Sequence, residues 1–193
     1  FKVFDPSSKT NSGYYSHPLE HIQLHEGLTS LRLAFDFTSP IANWRLPASL
    51  THFSVGSGFN QPLPSLRHTS LQALDMSHCY KWNQSCVEWR FPPTLHTFLP
   101  PAEMRINDAL HSFLASSTGL THLDLRVSLS DQKKHSTNLM EVQWAPQLRK
   151  LTLGRGWDTP LSKAHWNPPL TLLELQLPAS PQFALAQPMT SLL

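Results

Sequence analysis

Three histidines near the start of the chain have a spacing that could bind a metal ion. His17, His21 and His25 recur at every fourth residue, which on an α-helix would place three imidazoles on one face as potential zinc ligands. Pro18, however, disfavours a helical conformation at residue 17. The pattern Leu19-x-x-Ile22-x-Leu24 favours a strand, which would separate His21 and His25 by about 13 Å. The sequence therefore disfavours a metal site at these histidines, and we predict no metal and no cofactor.

The two cysteines, Cys79 and Cys86, are the second group of residues that could carry chemistry. Neither lies in a sequence typical of a cysteine nucleophile. We interpret Cys79 as a buried structural thiol, with a Cys79–Cys86 disulfide as the alternative. So few cysteines in 193 residues argue against a disulfide-stapled secreted domain, which favours an intracellular location and leaves an organelle open. Asn83-Gln84-Ser85 is a glycosylation sequon, a triplet that is common by chance.

Composition excludes several function classes. The formal net charge is +2 and 15% of the residues are charged, so neither nucleic acid nor a membrane surface is a predicted partner. No apolar run approaches 18 residues, so we predict no membrane span. An enzyme would need a cleft built from the insert 128–138, together with His122 or His135. Since nothing else in the sequence supports a catalytic site, we predict that the chain is not an enzyme.

A repeated hydrophobic pattern organises most of the chain. The pattern is Leu-x-x-Leu-x-Leu, and its copies start near residues 28, 50, 71, 95, 120, 148 and 170. The copy at residue 95 is degenerate, because Phe98 and Pro100 replace the second and third leucines. The starts are 22, 21, 24, 25, 28 and 22 residues apart, within the roughly 20–29 residues of leucine-rich repeats. We number the positions of each copy from its first leucine.

Further motifs accompany these copies. Residues 55–63 (Val-Gly-Ser-Gly-Phe-Asn-Gln-Pro-Leu) match residues 153–161, and the segment 44–50, which precedes a copy, matches 89–95. In this alignment Trp157 corresponds to Phe59, and Trp82 takes the same site after a two-residue insertion, so these aromatic residues are expected in the core. The glycines are expected to allow a positive φ, and the prolines to occupy the turn before each strand.

The segment Leu-Pro-Ala-Ser-Leu followed by Gly-x-Gly-Phe-Asn-Gln-Pro-Leu resembles the leucine-rich repeat of the FNIP type, which is abundant in some protists and large viruses. The resemblance is close in residues 44–63, fair in 144–161 and loose elsewhere, and the broader leucine-rich framework covers about residues 19–193. It implies a eukaryotic-type, right-handed solenoid with one short parallel strand per turn and no catalytic residues.

We therefore predict an α/β leucine-rich-repeat solenoid that is dominated by β-structure and forms a single domain over residues 1–193. Its convex side is expected to be mostly turns, with at most one short helix at Asn107–Ser116. Residues 190–192 resemble the opening of another copy, so we expect further repeats after residue 193. Cys79 lies at position 9 of its copy, where leucine-rich repeats use Asn or Cys.

The side chains at positions 3 and 5 of each copy are expected to point to the concave side. Position 3 holds Ser30, His52, Ala73, Thr97, His122, Lys150 and Leu172, and position 5 holds Arg32, Ser54, Asp75, Leu99, Asp124, Thr152 and Glu174. Both signs of charge occur, together with small and apolar residues. This mixture predicts a protein-binding face, because a groove for phosphate backbones would be basic throughout.

From this face we predict a non-enzymatic protein–protein interaction solenoid that serves as a scaffold or as an accessory subunit of a larger complex. The alternative is a substrate-recognition module whose F-box-like or kinase-like domain lies outside the sequence. The candidate protein-binding residues are Arg32, His52, Ser54, Asp75, His122, Asp124, Lys150, Thr152 and Glu174.

Overall fold

Seven short parallel strands form one sheet in which chain order and spatial order are the same. The computed structural model of the chain describes residues 22–85, 89–101, 114–115, 117–125, 142–153 and 170–175. The strands are β1 (Ser30–Arg32), β2 (His52–Ser54), β3 (Ala73–Asp75), β4 (Thr97–Leu99), β5 (His122–Leu125), β6 (Lys150–Leu153) and β7 (Leu172–Leu175). Each strand pairs with the next one along the chain, so the chain is a β-dominated solenoid, as predicted.

The strands pair in the register that the repeated pattern predicts. Position 3 of each strand lies opposite position 3 of the next, as in Ser30 opposite His52 and Lys150 opposite Leu172. The degenerate copy keeps this register, since Thr97 and Phe98 pair with His122 and Leu123. All seven predicted strands are therefore confirmed.

One hydrogen-bonding unit recurs at each of the six steps between strands. The carbonyl at position 2 accepts the backbone N–H groups of positions 2 and 3 in the next copy, at 2.8–3.1 Å. In the first step the carbonyl of Thr29 accepts from Thr51 and His52, and in the last step Arg149 accepts from Thr171 and Leu172. Where position 2 is threonine, as in Thr51, its hydroxyl donates to the same carbonyl. This unit fixes both the spacing and the register of the sheet.

The core lies on the inner side of the sheet, where positions 1, 4 and 6 are buried in the second to sixth copies, including the degenerate copy at residue 95. Leu50, Phe53 and Val55 are typical. Beyond the strands Phe59 stacks on Trp82, with ring centroids 5.9 Å apart and an interplanar angle of 19°. This stack confirms that Trp82 takes the site of Phe59 in the following copy.

Pro47 and Pro92, which precede β2 and β4, occupy the first position of a turn. The N–H of Leu50 donates to the carbonyl of Pro47, and the N–H of Leu95 donates to that of Pro92, both at 3.1 Å. Because a residue at this place need only accept a bond, the missing N–H of proline costs nothing. The predicted role of the prolines is confirmed at both sites.

Gly56 and Gly58 are needed for a reason other than the one we expected. Neither has a φ in the left-handed region. Instead, a Cβ on Gly56 would lie 2.3 Å from the carbonyl oxygen of Ala34 and 2.5 Å from the Cα of Phe35. The N–H of Gly58 also donates to the carbonyl of Phe35 at 2.7 Å. The glycines therefore allow the turns of consecutive copies to come into backbone contact.

A ladder of amide side chains links the copies on the side away from the sheet. Gln61 Nε2 donates to the carbonyl of Thr38 at 2.8 Å, and in the next copy Gln84 Nε2 donates to the carbonyl of Asn60 at 3.3 Å. Asn60 Oδ1 also accepts from the N–H of Asn83 at 3.0 Å. The Asn-Gln pair that follows each aromatic residue thus carries inter-repeat hydrogen bonds.

Several predictions fall on residues outside the described part. These are most of the predicted helix Asn107–Ser116, Trp157 with its flanking glycines, the insert 128–138 and residues 190–192. Leu114 and Ala115 are helical and Leu114 is buried, but no complete helix falls among the described residues.

Substitution of Gly56 by alanine should destabilise the fold, because its Cβ would collide with backbone atoms that cannot move without displacing the preceding turn. We expect a loss of about 1–3 kcal/mol in the free energy of unfolding, measured by urea denaturation. Gly27→Ala is the control, since its Cβ would meet only the ring of His25, at 3.1 Å. Equal stability of the two variants would contradict the backbone-contact explanation.

Truncation of Phe59 tests the aromatic core against a matched surface residue. Phe59 is 0% exposed, whereas Phe35 is 75% exposed. Phe59→Ala should cost about 3–5 kcal/mol, and Phe35→Ala should leave the free energy of unfolding nearly unchanged. Hydrogen exchange should show the loss first in strands β2 and β3, since solenoid repeats depend on their neighbours. A uniform loss of protection across all strands would contradict this local response.

Candidate functional site

The candidate site is the side of the sheet opposite the core, which we call the open face. It consists of the side chains at positions 3 and 5 of the seven strands, and the strand pairing places both sets in two rows across the sheet. With neighbouring strands about 4.8 Å apart, the rows extend over about 30 Å. Each strand is only three or four residues long, so the open face is a narrow strip.

Exposure is uneven along this strip. Ser30, Arg32 and His52, on the first two strands, are exposed, and the other described side chains of the face are mostly half-buried. Asp124 and Thr152 are only 7% and 3% exposed. These two candidates therefore do not lie at the surface, contrary to the expectation that a position-5 side chain is accessible on every strand.

The other seven candidates do reach the surface. Arg32, His52 and Glu174 are exposed, while Ser54, Asp75, His122 and Lys150 are half-buried. The sequence-based selection left out Ser30, which is exposed beside Arg32, and Leu172, which is 44% exposed at the other end of the face.

The candidate residues on β6 and β7 form a polar cluster whose side chains bond to one another. Lys150 Nζ lies 3.4 Å from Glu174 Oε1, and Thr152 Oγ1 donates to Glu174 Oε2 at 3.0 Å. The hydrogen bond from Thr152 and the contacts with Lys150 lower the pKa of Glu174, to which the charge of His122 also contributes. Both oxygens of this carboxylate are thus already engaged within the face.

In the middle of the face, Asp75 is partly engaged by its own chain. Its Oδ1 accepts from the N–H of Ser77 at 3.0 Å and from the Ser77 hydroxyl at 2.7 Å. This local turn holds the carboxylate at the end of β3. The second carboxylate oxygen makes no hydrogen bond to the described residues.

Cys79 is a free thiol and is fully buried. Its Sγ donates to the carbonyl of Gly56 in the preceding copy at 3.2 Å. Burial raises the pKa of the Cys79 thiol to about 12, and the nearby Asp75 carboxylate contributes in the same direction. The burial predicted for Cys79 is confirmed, and its thiol is free in this structure, whereas Cys86, the partner in the disulfide alternative, lies outside the described residues. A thiolate nucleophile is disfavoured by the same burial.

The other chemical hypotheses fall mainly outside the described residues. The structure does not describe Cys86, His17, His21 or the insert 128–138. Of the three histidines in the zinc hypothesis, only His25 can therefore be placed. That residue is exposed and its Nδ1 accepts from the N–H of Gly27 at 2.9 Å. Within the described ranges no group of three potential ligands could hold a metal ion, and no helix there is long and apolar enough to span a membrane.

Comparison with known proteins adds no assignment. No protein-family profile, curated protein or solved structure gives a match to the chain.

The thiol of Cys79 should resist alkylation in the folded protein, because it is buried and because its raised pKa keeps it protonated. In a Cys86→Ser variant, we expect negligible reaction with iodoacetamide at pH 8 in buffer and complete reaction in 6 M urea, followed by mass spectrometry. Rapid modification of the folded chain would contradict this burial.

The raised pKa of Cys79 also predicts the direction in which the free energy of unfolding changes with pH. The folded-state pKa of about 12 lies above the ordinary value of 9.0, so the protonated thiol favours the folded state. This contribution is fully present below pH 9 and is lost as the pH rises towards 12.

Proposed function

We propose that the chain is a leucine-rich-repeat protein of the FNIP type, and that it works as a non-enzymatic interaction solenoid, either a scaffold or an accessory subunit of a larger complex. The open face is its binding surface. The observation that carries this proposal is the order of the seven strands, which pair in register so that the side chains at position 3 form one row across the whole sheet. Solenoids present extended surfaces of this kind to their partners.

The chemistry of the open face favours a protein as the partner. In its centre, Ala73, Thr97 and Leu99 are small or apolar and half-buried, and they lie beside one carboxylate, Asp75. The other charged side chains lie towards both ends. Protein interfaces commonly combine an apolar centre with a polar rim. A nucleic-acid surface would instead need basic side chains along its length, and the face carries aspartate and glutamate as well as arginine and lysine.

A blocking substitution at the centre of the face tests this proposal. Ala73→Arg combined with Thr97→Arg adds two long charged side chains at neighbouring places on the strip, and the strand register itself needs neither native side chain. We expect the amount of protein partner that co-purifies with the tagged chain from its source cells to fall at least about tenfold, since a buried unpaired charge opposes association.

Arg67→Glu is the control, because Arg67 is exposed in the turn before β3 and lies outside the open face. It should leave capture of the same partner unchanged. Thermal melting of both variants establishes that they remain folded. If the double variant is folded and captures the partner as well as the wild-type chain does, the open face is not the binding surface.

A further inference from the structure

The first two strands place four polar side chains in a compact square on the open face. Ser30 pairs in register with His52, and Arg32 pairs with Ser54. Across the strands these side chains are about 5 Å apart, and along each strand positions 3 and 5 point to the same side. We call this square the amino-terminal patch. It contains one permanent positive charge and no acidic residue.

Three of the four side chains, those of Ser30, Arg32 and Ser54, do not use their donors elsewhere in the described structure. Arg32 makes no ion pair there, and neither Ser30 nor Ser54 makes a side-chain hydrogen bond. Three of the four side chains are exposed and Ser54 is half-buried. This differs from the far end of the face, where Lys150 is already paired with Glu174.

The imidazole of His52 is held in a defined orientation. The hydroxyl of Thr51 donates its only hydrogen to the carbonyl of Thr29, at 2.9 Å. The contact of 2.9 Å between the same hydroxyl and His52 Nδ1 therefore requires that Nδ1–H donates. This leaves Nε2 as the ring nitrogen that is available to a ligand. The charged groups on the neighbouring strands are Arg32 and Asp75.

From this arrangement we infer that the amino-terminal patch binds an oxyanion, and specifically the phosphate group of a phosphorylated serine or threonine in the partner protein. This inference rests on the proposed function, because it assigns a ligand to one end of the open face. Guanidinium groups recognise phosphate through paired hydrogen bonds, and the hydroxyl groups of Ser30 and Ser54 beside it add two further donors.

The number of donors favours a phosphate ester over a carboxylate. A carboxylate offers two oxygen atoms, whereas a phosphate ester offers three strongly accepting oxygens and a charge of about −1.5 to −2 near pH 7. A guanidinium group and two hydroxyl groups within one square match the larger group. Asp75, which lies opposite Ser54 on the next strand, marks the boundary of the patch, because its negative charge repels an anion that moves towards β3.

The test is an NMR titration of the ¹⁵N-labelled full chain with the peptide acetyl-Gly-Gly-phosphoserine-Gly-Gly-amide. We expect shifts of the backbone amides in Ser30–Arg32 and His52–Ser54, and competition by inorganic phosphate. Arg32→Ala should weaken binding at least about tenfold, since hydrogen bonds to a charged group are lost. Asp75→Asn should strengthen binding several-fold, because the carboxamide keeps an oxygen for Ser77 and removes the repulsion.

Arg67→Ala is the matched control, because it removes an exposed arginine that lies outside the patch, and it should leave the affinity unchanged. The inference is overturned if the amides of β1 and β2 do not respond, if Arg32→Ala binds as the wild type does, or if the same peptide with aspartate in place of phosphoserine binds equally well.

The proposed function fails by a different result, which is undiminished partner capture by the folded Ala73→Arg, Thr97→Arg variant. If the double variant loses its partner but the wild-type chain does not bind the phosphopeptide, the proposed function stands. Only the phosphate site is then refuted.

Discussion

The structure depends on one repeated interaction, in which a single carbonyl at position 2 accepts two backbone N–H groups from the following copy. Because this unit recurs at all six steps with nearly the same distances, each strand is held at a fixed height and register relative to its neighbour. The core and the open face are then two consequences of the same arrangement, since alternate side chains of a strand point to opposite sides. Any residue at positions 3 and 5 is placed in a row, whatever its chemical type.

Backbone contact between the turns imposes a second constraint on the sequence. The turn of one copy approaches the next so closely that Gly56 has no room for a side chain. Phe59 and Trp82 stack directly beyond this contact, and the Asn-Gln pairs bond across the copies beside the stack. The motif Gly-x-Gly-aromatic-Asn-Gln therefore combines close approach, apolar stacking and amide bonding in one short segment. This explains why the copies of this motif are more similar to one another than are other parts of the repeat.

The strands and their register could be predicted from the sequence, because the spacing Leu-x-x-Leu-x-Leu identifies the positions that face the core. The sequence also predicted that Trp82 occupies the same site as Phe59, once a two-residue insertion is allowed. It could not supply the reason for Gly56, since a glycine needed for positive φ and one needed for close approach look the same in sequence. Nor could it show that Asp124 and Thr152 are buried, because the exposure of a position-5 side chain depends on parts of the chain that are distant in sequence.

The two ends of the open face differ in how their polar groups are satisfied, and this difference bears on where a partner gains binding energy. At β6 and β7 the lysine, threonine and glutamate bond to one another, so a partner would have to replace existing contacts and would gain little. At β1 and β2 the side chains of Ser30, Arg32 and Ser54 make no ion pair or hydrogen bond to the described residues, so a ligand there replaces only water. Since a polar contact contributes most where it does not displace an equivalent one, specificity should be concentrated at the amino-terminal end. Under the proposed function, the half-buried centre would supply apolar contact to either orientation of a partner, and the charges at the two ends would determine which orientation is bound.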